Sequence, residues 1–211
     1  MNVRMTKFIV SVAVAIMSAM SAVAQPYCSV RTFNIRDGLP ANNVSTIAQS
    51  KDGLIWASTW NGLCYYDGYN FETFRSSPEN GWLPTNRILM IKPNSNGDIW
   101  LITYDRQLYL FDTSESKFIN INSTLKTRLG TDFEARNIYS TPDGHTWVIG
   151  HGRRTAVRIN DNAPTVADSM EVYGLGTAPV SNKANSYVRK VETDAAGREW
   201  VFYDNCVSLY G

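Results

Sequence analysis

The chain has 211 residues, of which 44% are hydrophobic and 18% charged, and its formal net charge is +1. This composition excludes an intrinsically disordered chain and supplies enough apolar residues for a sizeable core. A nearly neutral charge gives no electrostatic reason to expect nucleic acid or a membrane surface as a partner, so no nucleic-acid partner is predicted.

Residues 1–24 are typical of a secretory signal peptide. Arg4 and Lys7 form a positively charged start, and an apolar run follows from Phe8 to Met20. Ala22-Val23-Ala24 then supplies the small residues of a cleavage site before Gln25. The alternative is an uncleaved membrane anchor, but the apolar run is shorter than the roughly 18 residues that a spanning helix needs. Cleavage and export are therefore predicted.

A short strand is predicted over Val30 to Ile35, where β-branched and aromatic residues alternate loosely before the turn signal Asp37-Gly38. The segment that follows is repeated, because seven of its residues return at a constant displacement of 44 positions. They are Leu39, Pro40, Asn42, Val44, Ile47, Gly53 and Trp56, and their counterparts are Leu83, Pro84, Asn86, Ile88, Ile91, Gly97 and Trp100. A period between about twenty and fifty residues indicates a repeat architecture.

Four such units follow one another, and each is predicted to be an antiparallel meander, because Asp-Gly, Asn-Gly and similar turns separate its short apolar runs. The predicted strands are residues 44–49, 54–59, 63–66 and 71–75 in the first unit, and 88–92, 98–103, 107–111 and 117–121 in the second. They are 137–140, 145–149 and 155–159 in the third, and 187–191, 198–202 and 207–210 in the fourth. The second unit has one inserted residue between its second and third strands, since Asp67 matches Asp112 at a displacement of 45.

A Gly-x-x-Trp motif runs through all four units, and its tryptophans are Trp56, Trp100, Trp147 and Trp200. A meander of this size cannot bury both faces alone, so the tryptophan is expected to pack between neighbouring sheets. The pattern predicts an all-β fold of β-propeller blades, at about residues 38–80, 81–130, 131–181 and 182–211. A β-sandwich is the alternative, but its packing does not require a whole four-strand unit to recur at a constant spacing in the sequence. Because the fourth unit lacks its last strand, residues 25–211 are predicted to be a partial propeller from a longer chain.

Three cysteines follow the predicted signal peptide, namely Cys28, Cys64 and Cys206, and an odd number cannot all pair within one chain. Cys64 is interpreted as a small apolar residue in a strand. The chain has no C-x-x-C spacing and only His145 and His151 as further ligands, so neither a metal site nor a cofactor is predicted.

The segment from Asp37 to Phe74 reads D-G-L-P-x-N-x-V-x-x-I, then D-G-x-I-W-x-S-T-x-x-G-L-x-x-Y-D-G-x-x-F-x-x-F. This pattern resembles the two-component regulator propeller repeat. The second unit departs from it at Gln107-Leu108, where the pattern has Gly-Leu, and the last two units keep little beyond the turn and the tryptophan.

The resemblance implies the N-terminal periplasmic sensor part of a hybrid two-component histidine kinase of the Bacteroidetes, anchored in the inner membrane. It further implies that the parent protein senses oligosaccharides and controls polysaccharide-utilisation genes. The expected partners are an oligosaccharide ligand, the remaining blades and signalling domains of the parent chain, and a second copy of the parent in a homodimer.

Strand topology restricts where a ligand could bind. The loops between the second and third strands of a blade, and the connections between blades, open on one face of a propeller. Aromatic rings stack on the C–H faces of sugars, and amide and guanidinium donors meet hydroxyl groups. The candidate ligand-binding residues on this face are Trp60, Asn61, Trp82, Arg87, Tyr104, Asp105, Arg106, His151, Arg153 and Arg154.

Some residues on this face have an interpretation other than ligand binding. Asn42 and Asn86 recur in register, so they are interpreted as turn-capping residues that bind the backbone. Trp60, Tyr104 and His151 share one repeat position but differ in identity. Such variation fits a recognition surface, and it equally fits a solvated loop.

Three functions remain open: a non-enzymatic sensor, a propeller lyase or glycosidase, and a structural interaction module. No catalytic residue is predicted, because the chain has neither a G-x-S-x-G elbow nor a glycine-rich phosphate loop. An acid pair of Asp105 with Asp132 or Glu134 would require the fold to bring these carboxylates together.

Overall fold

The computed structural model describes residues 3–20, 29–151, 155–163, 165–166, 168–174, 188–203 and 206–210. The chain divides into two units, residues 1–32 and residues 33–211. The first unit contains helix α1 (Val3–Met20). Within the described ranges, no helix combines the length and the apolar character needed to cross a membrane. The signal peptide stays a prediction.

The second unit consists mainly of four antiparallel sheets, each formed by strands in chain order. The first sheet contains β1 (Val44–Gln49), β2 (Ile55–Thr59), β3 (Gly62–Tyr66) and β4 (Phe71–Phe74), and the second contains β5 (Ile88–Pro93), β6 (Ile99–Thr103), β7 (Leu108–Asp112) and β8 (Lys117–Asn120). The third contains β9 (Ala135–Ser140), β10 (His145–Gly150), β11 (Thr155–Asn160) and β12 (Met170–Gly174), and the fourth contains β13 (Val188–Thr193), β14 (Glu199–Tyr203) and β15 (Val207–Tyr210).

The first strands of successive sheets lie beside one another, with β1 next to β5, β5 next to β9 and β9 next to β13. A direct hydrogen bond joins the first two, since the backbone N–H of Ile91 donates to Thr46 Oγ1 at 3.0 Å. Sheets that share an inner edge and splay outward are β-propeller blades. The predicted all-β partial propeller, with an incomplete fourth blade, is confirmed.

The strand predicted at Val30 to Ile35 is wrong. Residues 29–34 form no strand, and a 3-10 turn follows at Ile35–Asp37. Asn34 Oδ1 accepts from the N–H of Arg36, and Asp37 Oδ2 accepts from the N–H of Asn34, both at 2.8 Å. These side chains occupy backbone donors that a strand would offer to a neighbour, so the local caps outweigh the β-branched pattern.

Two elements were missed in the sequence. Helix α2 (Asn122–Leu129) follows the second blade, with Leu125 buried against the third blade, and its eight residues carry too few apolar positions to show a helical period. Strand β12 pairs with β11 over residues 155–159 and 170–174, and the long connection between them hid the pairing.

The recurring tryptophans pack between blades, as predicted, wherever a described blade follows. Trp56, Trp100 and Trp147 are almost fully buried, with exposed fractions of 3%, 1% and 1%. Each belongs to a core cluster that includes the next blade, for example Trp100 with Val148 and Val157. Trp200 in the fourth blade is only partly buried.

A polar residue six positions before each tryptophan closes the turn between the first two strands of the blade. The backbone N–H of this residue donates to the carbonyl oxygen four residues later, at 2.8–3.1 Å, in all four blades. The four residues are Ser50, Asn94, Thr141 and Asp194. Two of them also accept the indole N–H, since Trp56 Nε1 donates to Ser50 Oγ at 3.0 Å and Trp200 Nε1 donates to Asp194 Oδ2 at 2.9 Å. The turn and the tryptophan are therefore one structural unit.

Cys64 lies in the interior of β3 and is fully buried, and it is a free cysteine, as is Cys206. Burial raises the pKa of the Cys64 thiol to about 11, so the neutral thiol prevails at physiological pH. Its interpretation as a small apolar strand residue is confirmed, whereas Cys28 lies outside the described residues.

We expect Trp100→Ala to lower the free energy of unfolding by about 3–5 kcal/mol, because it leaves a cavity between the second and third blades. Trp60→Ala is the matched control, since 47% of that side chain is exposed, and it should cost less than about 1 kcal/mol. Urea unfolding followed by circular dichroism measures both. Equal losses would contradict the interblade role of Trp100.

We expect Asp194→Asn to alter the acid stability of the fourth blade. Hydrogen bonds from Trp200, Arg198 and Ala196 hold the pKa of the Asp194 carboxyl down, at about 2. A depressed carboxyl pKa stabilises the fold above the unfolded value near 4, and this stabilisation is lost as the pH falls toward 2. Urea midpoints of the wild type and the variant should differ at pH 7 and converge near pH 2. A constant gap across that range would contradict the expectation.

Candidate functional site

The loop between β2 and β3 and the connection between the first two blades lie together, as the topology requires. The backbone N–H of Gly62 donates to the carbonyl oxygen of Asn86 at 2.9 Å. The corresponding segments also meet one blade later, with the direction of the hydrogen bond reversed, since the N–H of Ala135 at the start of β9 donates to the carbonyl of Arg106 in the loop at 2.8 Å. These contacts form one continuous face, and we call it the loop face.

One repeat position on the loop face has a fixed backbone and a variable side chain. The backbone N–H groups of Trp60, Tyr104 and His151 donate to the carbonyl oxygens of the residues just before β1, β5 and β9, respectively. All three side chains are exposed, and the exposed fraction of Tyr104 is 58%. The scaffold therefore presents a different ring at the same place in each of three blades.

Arg87 brings two of these rings into one cluster. Its guanidinium carbon lies over the ring of Trp60, 5.0 Å from the centroid, and over the ring of Tyr104 at 5.8 Å. The Arg87 backbone is fixed at both ends, because its N–H donates to Thr85 Oγ1 at 3.1 Å and its carbonyl accepts from Tyr104 at 2.9 Å. We call these three residues the Trp60–Arg87–Tyr104 cluster. Attraction between a cation and an aromatic ring favours this arrangement, by about 0.5–1 kcal/mol per contact at exposed sites.

The asparagines of the loop face bind the protein itself. Asn42 Oδ1 accepts from the N–H of Ile35 at 3.1 Å, and Asn86 Oδ1 accepts from the N–H of Ser76 at 2.9 Å. Their interpretation as backbone-binding residues is confirmed. The candidate ligand residue Asn61 is also engaged, since its Nδ2 donates to the carbonyl of Pro40 at 3.1 Å.

Asp105 and Arg106 form the tip of the second blade's loop. Asp105 Oδ1 accepts a 2.6 Å hydrogen bond from Thr103 Oγ1. Burial and, secondly, the Asp105 charge raise the pKa of the Tyr109 hydroxyl. Arg106 has a positive φ of 66°, a conformation that costs a side-chain-bearing residue energy.

The insertion in the second repeat explains this conformation. In the first blade, Gly62 takes the positive φ, at 116°, and a Cβ there would lie only 2.6 Å from the carbonyl oxygen of Phe74. The second blade has one more residue in the loop, and Arg106 takes the left-handed position instead. The sequence signal was therefore the inserted residue together with Gln107, which stands where the repeat pattern has glycine.

The remaining predicted residues are not brought into the cluster. Trp82 is 70% exposed, and the described residues show no ring contact between it and the cluster. The backbone carbonyl of Asn80, two residues before Trp82, accepts from the N–H of Phe118 at 2.7 Å. Phe118 belongs to β8, the outermost strand of the second blade. His151 occupies the third copy of the variable position, whereas Arg153 and Arg154 lie outside the described residues.

Two of the three carboxylates considered for an acid pair, those of Asp105 and Asp132, have local partners. Asp105 is bound by Thr103, and Asp132 pairs with Lys126 Nζ at 2.9 Å. Glu134 contributes its backbone carbonyl, which accepts from His151.

A second group of ionisable residues lies between the third and fourth blades. Asp143, His145 and Glu199 offer ligand atoms within 4.8 Å of one another, as a metal site would require. Glu199 is buried, however, and accepts a 2.7 Å charged hydrogen bond from Arg158 Nε, while Asp143 Oδ2 lies 3.0 Å from His145 Nδ1. Because Arg158 in β11 already neutralises Glu199 in β14, we interpret this group as one that contains an ion pair between the third and fourth blades.

Comparison with known proteins agrees with this fold. Residues 38–61 match the family model described as the two-component regulator propeller. Histidine kinase P4 of Formosa agariphila is 38% identical over 50 residues, which cover 24% of this chain and 4% of that protein.

Two solved structures share the fold at low identity. The extracellular domain of the hybrid two-component system BT4673 from B. thetaiotaomicron matches with a TM-score of 0.57 and 17% identity, over 88% of this chain and 26% of that chain. A virginiamycin B lyase from Staphylococcus aureus matches with a TM-score of 0.52 and 15% identity, over 80% of this chain and 52% of that chain. This chain thus spans only a small part of the signalling relatives that it matches.

We expect Arg106→Gly to raise the free energy of unfolding by about 0.5–1 kcal/mol. Glycine removes the steric penalty of the positive φ, and this gain is partly offset by the greater entropy of its unfolded chain. Arg106→Ala is the control, because it removes the same side chain but keeps a Cβ at the strained position. Urea midpoints measure both variants, and equal values for the two would contradict a backbone origin.

Proposed function

We propose that this chain, whose first blade carries a two-component regulator propeller repeat, is the N-terminal sensor part of a periplasmic hybrid two-component signalling protein. In this proposal the loop face binds an oligosaccharide, and the kinase part of the parent protein passes the signal to genes for polysaccharide use. The Trp60–Arg87–Tyr104 cluster is the observation that carries the ligand-binding part of the proposal.

The chemistry of the cluster suits a sugar. Exposed indole and phenol rings offer apolar faces for sugar C–H groups, and the guanidinium and hydroxyl groups offer hydrogen bonds for sugar hydroxyls. Because the backbone of all three residues is held by the blade frame, little conformational entropy is lost when a ligand binds. Binding residues on loops that a rigid frame supports are common in proteins.

A non-catalytic role is part of the proposal. The grooves along the inner strands of the described blades are lined by two carboxylates, Glu192 and Asp194, besides polar and apolar side chains. Both are ion-paired, Glu192 with Lys190 and Asp194 with Arg198. Acid catalysis of glycoside cleavage needs a pair of carboxylates that flank the bond, and this pairing does not favour it. The likeness to a lyase concerns the fold alone.

We expect Trp60→Ala and Tyr104→Ala each to weaken oligosaccharide binding at least tenfold, because each removes a stacking ring. A glycan array identifies ligands of the wild-type chain, and isothermal titration calorimetry measures their affinity for each variant. Tyr69→Ala is the matched control, since Tyr69 is 86% exposed in the β3–β4 turn, on the opposite face. Absence of any glycan binding, or an equal loss in the control, would overturn the ligand-binding part.

The signalling part has a separate test. The reading frame beyond Gly211 should encode further blades, one membrane span and a histidine-kinase pattern. A stop codon after the propeller would overturn the sensor assignment but would not affect the conclusion about oligosaccharide binding.

A further inference from the structure

Arg87 has a positive charge that no carboxylate neutralises in the part of the chain that the structure describes. Its side chain makes the two ring contacts of the cluster, and its only hydrogen bonds among these residues belong to the backbone. The residue is exposed, so its N–H donors face solvent in the absence of a ligand. The carboxylate of the adjoining β6–β7 loop, Asp105, accepts a hydrogen bond from Thr103.

Two other arginines show the contrasting arrangement. Arg198 also stacks on an aromatic ring, 5.8 Å from the centroid of Trp200, but it forms an ion pair with Asp194 at 2.8 Å. Arg158 pairs with Glu199 at 2.7 Å and with Glu171 at 3.4 Å. Both therefore have an anionic partner inside the protein, whereas Arg87 is oriented by rings alone.

Rings orient a guanidinium without using its N–H groups. A stacked guanidinium keeps its donors in a fixed plane, and this fork matches two oxygens of a carboxylate or a sulfate group. The neighbouring loop residue Arg106 adds a second positive charge to the same face. The loop face thus has donors prepared for an oxyanion beside rings that suit a sugar.

We propose that the ligand of the Trp60–Arg87–Tyr104 cluster is an acidic oligosaccharide, whose carboxylate or sulfate group binds the guanidinium of Arg87. This inference rests on the proposed function, because it names the chemical class of sugar that the same cluster takes. Arg87 confers the preference for the charged substituent, and the two rings hold the sugar next to it.

The test compares matched pairs of oligosaccharides on the whole chain. Oligouronides are compared with their methyl esters, and sulfated oligosaccharides with their desulfated forms, by isothermal titration calorimetry at low salt. The acidic member of at least one pair should bind at least tenfold more tightly than its neutral counterpart. The pair in which this occurs distinguishes a carboxylate from a sulfate. Raising the salt concentration should weaken this preference, because exposed charges are screened.

Variants of Arg87 separate charge from packing. Arg87→Gln should reduce binding of the acidic ligand at least tenfold, and by a larger factor than it reduces binding of the neutral counterpart, while Arg87→Lys, which keeps the charge but not the fork, should lie between. Arg198→Gln is the control on a stacked arginine outside the loop face and should change neither affinity. Urea midpoints verify that the Arg87 variants remain folded.

The outcomes distinguish the two proposals. Neutral oligosaccharides that bind as tightly as acidic ones, with a loss in Trp60→Ala, would overturn the acidic-ligand inference and leave the proposed function standing. Equal losses of acidic and neutral binding in Arg87→Gln would also overturn the acidic-ligand inference, because they would show that Arg87 does not distinguish the charged substituent. Absence of binding by every pair would overturn both.

Discussion

The buried tryptophan between neighbouring blades is the contact on which the rest of this structure depends. Trp56, Trp100 and Trp147 each fill the space between their own sheet and the next one. A four-stranded meander has two faces and cannot bury both alone, so a large aromatic side chain at a fixed register joins one blade to another. The preceding polar turn residue fixes the same strand pair, and in the first blade Ser50 accepts the indole N–H.

This frame gives the loop face its properties. Because the blades keep their register, the same backbone hydrogen bond forms before β1, β5 and β9, and it holds Trp60, Tyr104 and His151 at equivalent places. The side chains at these places do not pack in the core, so they can differ in chemistry from blade to blade. A repeat protein can in this way present several rings and charges on one surface while its core stays uniform.

The electrostatics of the two faces differ. On the turn side, Arg198 and Arg158 are neutralised by carboxylates, and the ion pairs connect strands or turns of the third and fourth blades. On the loop face, Arg87 is oriented by Trp60 and Tyr104. An arginine that pairs with a carboxylate stabilises the fold, whereas one that is held by rings keeps its donors for another molecule.

The sequence determined the blades, their order and their tryptophan contacts, because these depend on local turn chemistry and on a register that repeats every 44 residues in the first two units. It also indicated the correct interpretation of Asn42 and Asn86, whose recurrence reflects a backbone role. Only the tertiary structure decided which loop-face candidates meet. Asn61 is bound to Pro40, which precedes β1, and Asp105 to Thr103 at the end of β6. Trp82 lies apart, and Arg87 reaches two rings that are 44 positions apart in the chain. The physical reason is that strands and turns follow from neighbours in sequence, whereas the direction of an exposed side chain depends on groups that the fold brings beside it.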